Sequence, residues 1–351
     1  MNQNWSVMNK EMQALIAKKA TFKDGMEGLM ELRRSLFEQI TQIVTTFPEE
    51  AFWQMPFEEA EGYHSKTLAY SIWHIFRIED IVAHEMIAED QQVLFSRDYQ
   101  TAIRSPIITT GNELAGDEIA EFSKRLNVRE LCQYAREVMQ STNRILTGLE
   151  YADLKRRFGE DMIAKLRRTG CVSEDEKAFW LIDYWCGKDL PGLIKMPFSR
   201  HWIMHIEAMQ RIKNNLCKQV RKGVDPIAYC GFSCNHCFLA KWCGSCRTAY
   251  NVCAFATISP DGKCPNAVCC QEKGIDGCYE CDHLESCEVG FYIPSNDGAQ
   301  AAKAQAMYIR KHGKKAFLKV HDRLRQKYDF TKTQEILGQD CREGLRILEG
   351  C

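Results

Sequence analysis

The sequence predicts a mainly α protein in two parts. An up-and-down helical bundle spans residues 1–222, and a small cysteine-rich metal-binding module with C-terminal helices spans 223–351. Three observations predict this. Apolar residues recur at steps of three and four through most of the first part, with no comparable period-two run. Twelve of the 18 cysteines fall between Cys230 and Cys287. After Pro294 and Gly298 the helical period returns. At 351 residues the chain is also too long for one ordinary domain.

The first helix is carried by Leu29, Leu32, Leu36, Ile40, Ile43, Val44 and Phe47, and Pro48 stops it. A second covers about Thr67 to Ile87. A third runs from Val128 to about Leu149 on Leu131, Tyr134, Val138, Ile145 and Leu149. Residues 158–197 are interrupted by Gly170, Gly187, Pro191, Gly192 and Pro197, and read as loops around one short helix, EKAFWLIDYW. The last helix of this part starts near Ser199, read as its N-cap, and ends near Gln219. Helices in this number predict the bundle. Gly223 and Pro226 punctuate the exit, and the module core covers 227–293. Helices then follow from about Ala301 to Tyr328 and from Thr331 to Leu348. No internal repeat is visible.

Composition excludes several classes. With 45% hydrophobic and 26% charged residues the chain is not disordered throughout. Forty-six Lys and Arg against 47 Asp and Glu give no global field for a polyanion. The N-terminus lacks the basic and apolar regions of a secretory signal, and no apolar run approaches the ~18 residues that span a bilayer. A cytoplasmic location away from membranes is expected. Dense cysteines there bind metal more often than they form disulfides, with a secreted disulfide scaffold as the alternative.

His201 and His205 are four residues apart on the helix from Ser199, so both imidazoles share one face and can reach one ion. Ala208, Ile212 and Leu216 continue that stripe inward. The alternative is a pair of core or rim histidines satisfied by hydrogen bonds. His74 lies on the second helix with Ile78 and Ile81 on its face, and a bundle brings it within reach. Three neutral imidazoles leave a coordination position open, the pattern of a catalytic zinc site. His64 and His84 lie ten residues either side of His74, about 280° around the helix, and are expected at the surface or rim.

SIWHIFRIEDI and SRHWIMHIEAMQRI resemble the DinB/YfiT-like superfamily, over about residues 20–220. The resemblance implies a four-helix bundle in which His74, His201 and His205 form a zinc or nickel triad. It also implies transfer of a low-molecular-weight thiol, or isomerisation with one as cofactor. The stretch from Phe158 to Met196 is longer and more broken than the family pattern. Such a site could lower a thiol's pKa to give a nucleophile, or activate water. Cys186, just upstream, reads as a small buried hydrophobe.

The module holds Cys230, Cys234, Cys237, Cys243, Cys246, Cys253, Cys264, Cys269, Cys270, Cys278, Cys281 and Cys287. Cys234/Cys237, Cys243/Cys246 and Cys278/Cys281 are C-x2-C knuckles, each able to chelate one ion. Twelve thiolates could fill up to three four-sulfur sites, with structural zinc expected first and an iron–sulfur cluster as the alternative. His236 and His283 could replace a sulfur, and the adjacent Cys269 and Cys270 are expected to serve different sites. The spacing Cys230-x3-Cys234-x2-Cys237 also fits a radical-SAM cluster, but too little chain follows for the barrel that chemistry uses. IAYCGFSCNHC, CGSCR and EKGIDGCYECDHLESC resemble an uncharacterised prokaryotic cysteine-rich family, a domain of unknown function, over about 227–293.

Between Lys303 and Lys327 nine Lys or Arg accompany one acid, Asp322. This helix could contact nucleic acid. The preferred reading is a solvated face packed on the module through Met307, Ile309, Phe317 and Leu324. The functional expectation is a metal-dependent transferase or hydrolase acting on a small molecule, a low-molecular-weight thiol being one option. A redox or metal sensor, or a partner-binding protein acting through the cysteine module, is the alternative. Nucleic-acid binding comes third, and a homodimer is admitted.

Overall fold

The computed structural model describes residues 3–57, 65–248, 250, 253 and 262–351. His64 lies outside them. The described chain is mainly helical and contains no β-strand; isolated bridges join Arg157 to Asp189 and Ile227 to Ser233. No helix among the described residues is long and apolar enough to cross a membrane. The chain divides into two compact units, 1–213 and 214–351.

In the first unit α1 (Gln3–Ile16) packs on α2 (Phe22–Thr46). They meet at Gly25, where a Cβ would lie 2.6 Å from the Ile16 backbone nitrogen. Leu29, Leu32, Leu36, Ile40 and Ile43 form the buried stripe of α2. Helix α3 (Leu68–Asp80) is buried on every side, which explains its apolar-rich sequence. Thr67 caps it by accepting from the Tyr70 N–H at 3.0 Å. It continues as a π-helical segment, Ile81–Ala88, that ends at Glu89 in the left-handed region. Short helices α4 (Val93–Ser96) and α5 (Tyr99–Ile103) and helix α6 (Asp117–Arg125) precede α7 (Val128–Thr147), which packs on α2 and α3. Asn127 caps α7 through the Arg129 and Glu130 N–H groups.

Two expectations need correction. Residues 158–197 form three helices, α8 (Glu160–Thr169), α9 (Glu176–Cys186) and α10 (Leu190–Lys195), rather than loops around one. Gly170 supplies the left-handed end of α8, and Asp175 and Asp189 cap α9 and α10, so the breakers separate helices instead of removing them. Nor is Ser199 an N-cap. The chain passes from α10 through a π-helical segment, Met196–Arg200, into α11 (His201–Val220). Pro197 has no N–H to give, and the wider turn accommodates it. The Ser199 hydroxyl is buried and donates back to the Ile194 carbonyl at 3.0 Å.

The second unit begins within the last turns of α11 and continues with the cysteine-bearing loops and α12 (Pro265–Glu272). Four helices follow where two are expected: α13 (Ala299–His312), α14 (Lys314–Lys327), α15 (Phe330–Gly338) and α16 (Cys341–Glu349). Gly313, at φ +80°, separates the first two. Helix α13 packs on α14, α15 and α16. Ile309, Phe317 and Leu324 are buried with Ile227, Leu284 and Tyr292 in one apolar cluster, and Met307 is half-buried against it. Several of the basic residues are engaged inside the unit, among them Lys311 with Glu349 and Arg325 with the Tyr328 carbonyl. The Lys303 ammonium donates to the Glu285 carbonyl, Arg310 to the Tyr279 and Cys281 carbonyls, and Lys314 pairs with Asp225 and Asp276.

Gly231 sits between Cys230 and the first knuckle at φ +82°, and a Cβ there would lie 2.7 Å from the Ala306 Cβ. Both the backbone and the space demand glycine. Gly231→Ala is expected to destabilise the second unit by about 1–3 kcal/mol. Chemical denaturation checks this, and an unchanged midpoint would contradict the packing of this turn on α13.

Candidate metal centres

His74, His201 and His205 converge. Their ligand nitrogens all lie within 4.8 Å of one another, and all three residues are buried. Among the described residues no other group of three His, Cys, Asp or Glu is this tight. The i, i+4 spacing on α11 brings two imidazoles edge to face, with ring centroids 4.5 Å apart, and α3 presents the third 4.7 Å from His205.

Helix α3 is oriented by a ladder of side chains that the sequence does not announce. The carbonyls of residues 108 to 111 accept in succession from Arg77, Trp73, His74 and Tyr70. The His74 bond, Nδ1 to the Thr110 oxygen at 2.8 Å, places the proton on Nδ1 and leaves Nε2 as a lone pair. This is the arrangement in which a second partner orients a metal-binding imidazole. Tyr70 stacks on His74 at 5.5 Å, with its ring nearly parallel. His201 Nδ1 is buried with no hydrogen-bond partner, as expected of an atom whose partner is an ion.

Burial keeps all three imidazoles neutral. It pushes His74 down to about 4, opposed by the Thr110 bond and assisted by nearby Lys66. His201 and His205 are also lowered well below the usual value, mainly by burial, and then by the charge of His74 for His201 and of His201, His74 and Lys66 for His205. Neutral nitrogens are the form that binds a cation. In chelator-stripped protein the unfolded chain binds protons below pH 6.5 that the folded chain refuses. Stability therefore falls as pH is lowered from about 6.5 to about 4, by about 3 kcal/mol for His74 alone. Denaturant midpoints across this window measure it; His74→Gln should flatten the profile, and an identical slope in both proteins would contradict burial of the neutral ring.

His84 corrects the expectation of a surface residue. It is 3% exposed, and its Nδ1 bonds to Asp90, away from the triad. A second unannounced network braces the site. Arg33 on α2 makes a two-pronged pair with Glu79 on α3 (2.6 and 2.9 Å), and both side chains are fully buried. Glu79 also accepts from the Trp202 indole at 2.8 Å, and Arg33 donates to Asn143 and to the Phe198 carbonyl. Trp202 is the neighbour of His201, so α2, α3, α7 and α11 are tied at the level of the imidazoles. Cys186 is buried, and its thiol is pushed up to about 11 by burial with Asp183 and Glu160 nearby, which makes it a poor nucleophile.

The twelve cysteines from Cys230 to Cys287 gather around two cavities. Cys230, Cys234, Cys237, Cys243, Cys246, Cys253 and Cys264 line one; Cys269, Cys270, Cys278, Cys281 and Cys287 line the other, together with His283. Cys269 and Cys270 thus face one cavity rather than two, because α12 carries both. His236 is absent from the lining of both cavities, and its Nε2 bonds to Asp322 of α14 at 2.6 Å. Cys278, bonded to Cys270 at 3.6 Å, has its thiol held down at about 7, chiefly by that bond. Comparison of the chain with known protein families, curated proteins and solved structures finds no match.

Proposed function

We propose that the first unit is a DinB-like four-helix bundle whose His74, His201 and His205 hold one zinc or nickel ion, and that the chain transfers the thiol of a small molecule. The observation that carries this reading is the convergence of three buried, neutral imidazoles, one of them aimed by the Thr110 carbonyl. A dication held by three nitrogens keeps an open position, where it would lower a thiol's pKa from ~8.5 to below neutrality. The chain's own groups supply the rest. Tyr70 walls one side of His74, and half-buried Lys66, 4.8 Å over the Tyr70 ring, offers positive charge to an anionic part of the substrate. The three imidazoles are buried, and the low polarity around them would strengthen these interactions.

Cobalt substitution tests the reading. Adding 2-mercaptoethanol or glutathione to the cobalt-loaded chain should produce a saturable sulfur-to-cobalt charge-transfer band that is absent from the His201→Ala/His205→Ala variant. If neither thiol perturbs the spectrum while a pH titration does, the open position activates water and the thiol reading is wrong.

A further inference from the structure

The division of twelve cysteines between two cavities has a consequence for what they bind, and it does not rest on the reading of the histidine site. We infer that each sulfur-lined cavity holds an iron–sulfur cluster. The knuckles Cys234/Cys237 and Cys243/Cys246 serve one cluster; Cys278/Cys281, with Cys269 or Cys270, serve the other.

The sulfur spacing is the first support. A zinc ion holding four thiolates at about 2.3 Å draws its sulfurs to about 3.8 Å from one another. Among the described residues the three imidazoles form a group compact enough to hold one ion, and no group of three cysteines does so. Touching pairs are Cys270 with Cys278 at 3.6 Å in one cavity and Cys243 with Cys253 in the other. A touching pair can share one iron of a cluster while further thiolates of the cavity bind another, which does not require all four to close on one ion.

Space is the second. The cavities measure about 110 and 190 Å³, and cysteines line both. Each has room for a group of atoms between its sulfurs. Hydrogen bonding is the third. At the second cavity Lys273 Nζ donates to Cys281 Sγ at 3.4 Å, and Asn266 Nδ2 to Cys278 Sγ at 3.7 Å. Asn266 is 1% exposed and is itself held by the Val289 carbonyl and the Phe291 N–H. Such donors offset the negative charge of a thiolate-bound cluster and set its potential. The first cavity differs: Phe232, Phe238, Phe291 and Phe330 share its lining, so the two clusters sit in unlike surroundings and should differ in potential.

The test uses the full chain purified without oxygen. Iron, acid-labile sulfide and zinc are quantified, and the dithionite-reduced protein is examined by electron paramagnetic resonance. The expected result is about two to four irons per cavity, matched one for one by sulfide, and two distinguishable paramagnetic signals. Cys278→Ser with Cys281→Ser should remove one signal and about half the iron, and Cys234→Ser with Cys237→Ser the other half. Zinc without sulfide, both as purified and after reconstitution with ferrous iron and sulfide, overturns the inference. Loss of all iron from either variant with an unchanged circular dichroism spectrum overturns the assignment to two sites. The wild-type iron-to-sulfide ratio decides cluster against zinc even where a variant fails to fold. None of these readings depends on metal at the histidines.

Discussion

Replacing Arg33 by Ala should destabilise the first unit by about 3–5 kcal/mol, because it strands the Glu79 carboxylate in an interior where both side chains are fully buried. For a unit of this size the melting temperature should fall by about 10 °C. The loss is large for a physical reason. Glu79 keeps only the Trp202 indole as partner at 2.8 Å, which cannot offset a buried charge, and Asn143 and the Phe198 carbonyl lose their donors as well. A volume-matched apolar pair, Arg33→Met with Glu79→Leu, should cost less than either single change, since it removes both charges together. Thermal unfolding of the three variants decides this. A loss below about 1 kcal/mol for Arg33→Ala would mean that the pair is hydrated.

Removing two imidazoles is the second large effect. His201→Ala with His205→Ala should abolish binding at the triad outright, well beyond the roughly 10–100-fold that loss of an outer hydrogen-bond partner costs. One nitrogen, His74 Nε2, would remain, and a single neutral ligand does not hold a dication against water. The fold should survive. The ladder from Arg77, Trp73, His74 and Tyr70 to residues 108–111 is untouched, as is the Arg33–Glu79–Trp202 network. Circular dichroism would verify that the variant is folded before its metal is counted.

What the sequence reveals here is what local geometry controls. His201 and His205 meet because four residues on a helix return to the same face, and His74 joins them because its apolar neighbours Ile78 and Ile81 mark an inward stripe. Arg33 carries no such sign. It stands beside Arg34 in an amphipathic helix, and only tertiary packing makes one arginine fully buried while the other pairs at the surface with Glu38. Its partner Glu79 is 46 residues away. The same limit applies at Pro197, which reads as a loop-former yet sits in a π-helical turn that feeds α11 directly. For the cysteines the knuckles are local and legible. Their allotment to two cavities depends on where α12 and α13 carry the chain, and periodicity holds no record of that.

The central claim is that three histidines from α3 and α11 hold one metal ion. The most direct measurement is the zinc and nickel content of the wild-type full chain against that of the His201→Ala/His205→Ala variant, purified side by side. The account predicts that the variant lacks one equivalent of zinc or nickel per chain while its cysteine-bound metal is unchanged. Equal contents in the two proteins would contradict it, leaving the imidazoles as buried neutral side chains.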